Sequence, residues 1–151
     1  QFFAHDVNSQ RMQDLPERAK RAGISVPQIP TRELDRHAPF DVVVADVPCS
    51  GSGAWRRQAE AKWQLTADRL SELVDIQAKL LDQSLSLVGA QGTIAYVTCS
   101  VLQAENHHQI LAFLERHPNC QTTEIQQLLP SDGGDGLFLA LITRKDEGVA
   151  A

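Results

Sequence analysis

A strand buried on both faces of a sheet needs an apolar run without polar alternation. Phe40-Asp-Val-Val-Val-Ala-Asp46 is such a run, and residues 93–98 and 137–143 form two more. Helical stretches separate the strands. Residues 9–22 read as a helix closed by Gly23, where positive φ is cheap. A long helix starts near Thr66, a good N-cap, with Asp68 in its first turn. Leu70, Leu73, Val74, Leu80, Leu81, Leu85 and Val88 fall on one 3.6-residue stripe, and Gly89 and Gly92 are expected to stop this helix. Residues 104–117 form a further helix before Pro118. Residues 2–6 read as the end of a strand, and 24–29 as an edge strand because of Pro27. Strands alternating with helices predict an α/β domain with a mainly parallel sheet.

A chain of 151 residues can bury one sizeable core, and 42% hydrophobic with 22% charged residues is ordinary for a soluble domain. No apolar run approaches the roughly 20 residues that span a bilayer. The opening Gln1-Phe2-Phe3 lacks an initiator Met and the layout of a signal peptide, so the chain reads as a fragment. Three cysteines, Cys49, Cys99 and Cys120, carry neither disulfide-scaffold nor zinc-ligand spacing. No metal is expected, and a reducing cytoplasmic setting is. The net charge of −5 counts against nucleic-acid binding, which normally leaves a basic surface.

Ligands of open parallel sheets bind beyond the carboxyl ends of the strands. The two most polar strand ends are Asp46-Val-Pro-Cys-Ser-Gly-Ser-Gly53 and Thr98-Cys-Ser100. Their cysteines lie 50 positions apart, the length of one right-handed crossover with a long loop. If the strands are neighbours, about 4.8 Å apart, both thiols can face one pocket. Simpler motifs fail. A Cys-x5-Arg loop would need Arg where Trp55 stands, a P-loop would need a Lys after the glycines, and Gly51-Ser52-Gly53 is not Gly-x-Ser-x-Gly. Taken alone, either cysteine is better read as a small buried apolar residue. Cys120 has no motif, and His107 and His108 read as surface or packing residues.

Together with Lys62-Trp63, Glu105-Asn106 and Gly134-Asp-Gly-Leu-Phe138, these two segments resemble the Sun-type (Fmu) RNA 5-methylcytosine methyltransferases over nearly the whole chain. The resemblance implies a Rossmann-like, S-adenosylmethionine-dependent methyltransferase fold, incomplete at its N-terminus. The catalytic domain would cover residues 1–145, and 146–151 would be a disordered tail. It implies Cys99 as the nucleophile at carbon 6 of the cytosine and Cys49 as the cysteine that releases the product. Asp46 would be a carboxylate near both cofactor and base, and Asp6 a ligand of the cofactor ribose; read from the residues alone, Asp46 is also open as a turn or cap residue and Asp6 as a helix cap. Pro48 is expected on the RNA side; in the loop after Gly53, Arg56, Arg57 and Lys62 read either as an RNA path, with Trp55 or Trp63 available for stacking, or as a solvated loop. The bacterial members that this pattern most resembles modify small-subunit ribosomal RNA, which implies that substrate here.

The chemistry accounts for these residue types. Carbon 5 of cytosine is a poor nucleophile until a thiolate adds at carbon 6. A base must then take the carbon 5 proton. A carboxylate on the pyrimidine edge stabilises charge in the ring, and the base must leave its stack to be reached. Two features depart from the family pattern. The Gly-rich cofactor loop has no counterpart, and Glu33 and Asp35 are only loose matches to the next acidic contact. RNA affinity would then rest mainly on a region upstream. Two other readings compete: a DNA cytosine-5 methyltransferase using Cys49, and a non-catalytic fragment or binding module that keeps the fold.

Overall fold

The computed structural model describes residues 1–146, so residues 147–151 of the expected disordered tail lie outside the described residues. The described chain divides into two compact units, the first covering Gln1–Pro39. In this unit the expected helix over 9–22 is split into a 3-10 turn, Ser9–Met12, and helix α1, Leu15–Arg21. Pro16 in the first turn of α1 explains the split: it has no N–H to give to Met12, so one continuous helix cannot pass through it. A 3-10 turn, Thr31–Glu33, runs into the short helix α2, Leu34–His37. The two strands expected over 2–6 and 24–29 are reduced to a single parallel bridge, Ala4 with Gln28. Ala4 N–H donates to Pro27 O at 3.0 Å, and Ile29 N–H donates to Ala4 O at 2.8 Å. Pro27 supplies no donor of its own, which limits the ladder to that bridge.

The second unit starts at Phe40 and holds the sheet. Its elements, in order, are β1 (Phe40–Asp46), α3 (Ala59–Gln64), α4 (Ala67–Leu87), β2 (Val88–Thr98), α5 (His107–Arg116), β3 (Cys120–Leu128) and β4 (Leu137–Arg144). The strand order is β1-β2-β4-β3. Only β1 and β2 are parallel; β4 runs antiparallel to both β2 and β3, so the sheet is mixed rather than mainly parallel. The short connection from β3 to β4 forces this direction, because a parallel pair needs a long crossover.

The long helix begins as expected, with Thr66 Oγ1 accepting from Arg69 N–H at 3.1 Å. It does not stop at glycine. The chain passes straight from α4 into β2, and both Gly89 and Gly92 lie within the strand. Arg144 of β4 braces the junction instead: its guanidinium donates to the Leu85 carbonyl of α4 and to the Val88 and Gly89 carbonyls at the start of β2, at 2.8–3.1 Å. Gly92 is needed for close approach, since a Cβ there would meet the Phe40 and Asp41 carbonyls at 2.8 Å.

Leu81 of α4, Ile110 and Phe113 of α5 and the sheet residues Ile94, Tyr96, Phe138, Ala140 and Ile142 form one buried cluster. Cys120 lies within it. Val43 and Ala45 of β1 pack on this core, whereas Val42, Val44 and Asp46, on the alternate face, are exposed. β1 is thus covered on one face only. Among the described residues, no helix is long and apolar enough to cross a membrane.

Candidate active site

β1 and β2 pair in parallel with Asp46 opposite Val97, so the segments after them leave the sheet side by side. Cys49 follows Asp46 by three residues and Cys99 follows Val97 by two. Their sulfurs lie 3.4 Å apart, and both residues are half-buried. Pairing of the strands therefore does bring the two motif cysteines to one place.

The loop after Cys49 turns sharply at Gly51, whose φ of 67° is open to glycine at little cost, into the 3-10 turn Ser52–Ala54. Gly53 N–H donates to the Cys99 carbonyl at 3.0 Å, and Gly53 O accepts from Gly136 N–H at 2.9 Å. Three separate segments thus meet backbone to backbone beside the thiols.

Burial pushes the Cys49 thiol up from its ordinary 9.0 to about 12. The Gly51 N–H opposes the rise, while the hydrogen bond with Cys99 and the Cys99 charge add to it. Cys49 is therefore a protonated thiol at neutral pH. A thiol with a raised folded-state pKa stabilises the fold fully below the unfolded value. That contribution is lost as pH climbs from 9.0 toward about 12. In Cys99→Ala both side-chain influences vanish while the Cys99 backbone hydrogen bond, which lowers the value, stays, so Cys49 is expected to ionise at lower pH. The pH midpoint of its iodoacetamide labelling, followed by peptide mass spectrometry, then moves down. A midpoint that stays put or rises would show that the two thiols are not coupled.

The other candidate residues divide. Asp46 stands exposed at the carboxyl end of β1. Pro48 is exposed, and its carbonyl is held by Gln77 Nε2 at 2.9 Å. Arg56 lies 3.7 Å from Asp135, which also pairs with Arg57, so part of its charge is already answered. Lys62 sits 5.7 Å over the ring of Trp63, which is 83% exposed. Trp55 is half-buried, and its indole N–H has no hydrogen-bond partner among the described residues. Asp6, in the first unit, closes a local turn by accepting from Asn8 N–H at 2.7 Å, with Arg11 at 3.8 Å. Glu33 pairs with Arg32 at 3.5 Å, and Asp35 is exposed.

Sequence reasoning missed the group that binds the two cysteine loops together. Glu105 reads from the sequence as the start of a helix, yet its side chain is fully buried between those loops. The available signal was the repeated Cys-Ser pair, Cys49-Ser50 and Cys99-Ser100, since both serines turn out to face this carboxylate. Among the described residues, no group of three or more His, Cys, Asp or Glu is arranged to hold a metal ion.

An adenosyl sulfonium cofactor needs acidic ligands for its hydroxyl and ammonium groups, and the exposed carboxylate of Asp46, at the ligand-binding end of a parallel strand, fits that need. The crystal structure of PH0851 superposes with a TM-score of 0.84 at 29% identity, over 94% of this chain and 36% of that one. A methyltransferase homolog from Pyrococcus horikoshii gives 0.79 at 22%, over 95% and 53%. The fold is thus the Rossmann-like fold of S-adenosylmethionine-dependent methyltransferases. Ribosomal RNA small subunit methyltransferase B of Yersinia pseudotuberculosis is 36% identical over 160 aligned positions, covering 95% of this chain and 36% of that protein. The chain therefore spans about a third of the length of the curated relatives it matches. The family description "16S rRNA methyltransferase RsmB/F" matches residues 1–143, and the chain belongs to that family.

Proposed function

We propose that this chain carries the catalytic centre of an RNA (cytosine-5-)-methyltransferase acting on small-subunit ribosomal RNA, with Cys99 as the attacking group. The observation that carries the reading is the pair of thiols 3.4 Å apart at the ends of adjacent parallel strands. One cysteine would suffice for attack; a second beside it calls for a reaction with two thiol-dependent steps.

Asp46 would help to hold S-adenosylmethionine, which when bound would supply an electrophilic methyl group for carbon 5. Cys99, as thiolate, forms a bond to carbon 6 of the cytosine, and the electron pair of the 5,6 double bond makes carbon 5 nucleophilic. Asp46 accepts a hydrogen bond from the pyrimidine edge and steadies charge in the ring. After carbon 5 is methylated its proton must leave, and the returning electron pair expels the Cys99 sulfur as thiolate.

Cys49 suits the release step. While Cys99 is free, its hydrogen bond and charge help to hold the Cys49 proton in place. Once Cys99 is bonded to carbon 6, both influences are gone; burial still holds the Cys49 thiol up, but its proton leaves to solvent more readily, and the thiolate that results can take the carbon 5 proton. Lys62 and Trp63 offer a charged and stacking surface for the strand, and Arg56 and Pro48 are the further contacts on the substrate side. A cytoplasmic setting keeps both thiols reduced.

The test is transfer of labelled methyl from S-adenosylmethionine by the full-length protein, with the product nucleoside identified by mass spectrometry. 5-Methylcytidine from small-subunit ribosomal RNA, and no labelling of DNA of the same sequence, is the expected result. Methyl on another atom, or preference for DNA, would overturn the reading.

A further inference from the structure

Glu105 occupies the turn after β2 and is 0% exposed. Its Oε1 accepts from Ser50 N–H at 2.8 Å and from Gln77 Nε2 at 3.0 Å. Its Oε2 accepts from Ser50 Oγ and from Ser100 Oγ, each at 2.5 Å. The residue directly after each motif cysteine thus donates to the same carboxylate. Ser52 Oγ lies 2.9 Å from Ser100 Oγ and accepts from Val101 N–H at 2.9 Å, which stitches the two loops a second time. Gln77, itself fully buried in α4, reaches from Glu105 to the Pro48 carbonyl. Tyr96 Oη donates to the Glu105 carbonyl at 2.6 Å and fixes the backbone.

A carboxylate without a cationic partner is costly to bury, and a well-packed apolar side chain would serve stability as well or better. Four directed donors on one charged group do something an apolar side chain cannot. They fix the direction and spacing of the two segments that supply them. Ser50 N–H is one residue from Cys49, so its bond to Glu105 governs where that sulfur points.

We propose that Glu105 is a positioning residue that holds the Cys49 and Cys99 loops in mutual register, so that the two thiols act as a pair. The catalytic meaning of that pairing rests on the function proposed above; the positioning itself does not.

The test uses disulfide closure as a ruler for thiol proximity in the full-length protein. Diamide, an azo oxidant, takes two electrons and two protons from Cys49 and Cys99 and is reduced to its hydrazine as the sulfur–sulfur bond forms. Closure needs the sulfurs to move from 3.4 Å to about 2.05 Å. Glu105→Gln keeps the shape but turns an amide N–H₂ toward donors, and is expected to slow closure at least about tenfold. The comparison variant is Phe113→Leu, a core change in α5 that lowers Tm without touching either loop, and its closure rate should match wild type. In the methylation assay Glu105→Gln should lower kcat and leave KM for S-adenosylmethionine unchanged.

Closure by Glu105→Gln at the wild-type rate overturns the positioning role, whatever the activity. Slower closure in a protein whose wild type methylates no cytosine leaves the positioning role standing and removes the proposed function. Should Glu105→Gln fail to fold, Ser50→Ala carries the same test: it removes one donor, with closure about threefold slower expected. An unchanged rate there is equally fatal.

Discussion

Full-length protein bearing Cys49→Ala is expected to accumulate on its RNA as a covalent adduct, while Cys99→Ala forms none. In the first variant Cys99 still attacks carbon 6, but no thiol stands 3.4 Å away to help complete the elimination. In the second the nucleophile is gone, and methylation should fall by at least about 10⁴-fold. The two effects differ in kind, so they separate on a denaturing gel: a slow-migrating protein–RNA band for Cys49→Ala, free protein for Cys99→Ala. The double variant decides the order of events. Attack precedes release, so Cys49→Ala/Cys99→Ala should show no band. A band that persists without Cys99 would mean that the nucleophile is misassigned. A Cys49→Ala protein that turns over freely would remove Cys49 from the release step.

That the thiols would meet was legible from the sequence because it depends on a strong signal. Phe40–Asp46 and residues 93–98 are apolar enough to read as strands, and 50 residues between the cysteines suits one crossover. The start of α4 was equally plain, since a threonine cap acts locally. What escaped were features set by distant partners. β3 reads as a polar stretch, Gln121-Thr-Thr-Glu-Ile-Gln-Gln127, because it is the outer strand of the sheet and only Cys120 is fully buried. The antiparallel direction of β4 cannot be read from its apolar run, which a parallel strand would share. The end of α4 was misplaced for the same reason: its Leu85 carbonyl is met by Arg144, 59 residues further along the chain. Glu105 was passed over because a carboxylate in a loop normally faces water, and only the folded arrangement puts Ser50 and Ser100 against it. Arg56 looked free for RNA until Asp135, far along the chain, was found beside it.

Gly53→Ala is expected to unseat the whole site, and the neighbouring glycines show why this one is special. A Cβ on Gly53 would sit 2.1 Å from the Gly136 carbonyl oxygen, 2.6 Å from its carbon and 2.7 Å from its Cα. All three are backbone atoms, so no side chain can swing aside. Gly136 cannot retreat easily either. It is bonded to Gly53 O at 2.9 Å, and its own Cα carries so little space that a Cβ there would meet Val101 Cγ1 at 2.5 Å. The methyl group must therefore push apart the loop of Cys49 and the segment before β4. With them goes the Gly53 N–H bond to the Cys99 carbonyl. Overpacking of this kind costs about 3 kcal/mol, visible as a lower urea midpoint. A displacement of about 1 Å between reacting groups costs about 10²-fold in rate, so methylation should fall at least that far. Gly134→Ala is the control: nothing lies within 4 Å of its Cβ and its φ is not in the positive region. It should change stability by no more than about 0.5 kcal/mol and leave activity intact. If Gly53→Ala proves as stable and as active as Gly134→Ala, the three segments do not meet as closely in solution as the site requires.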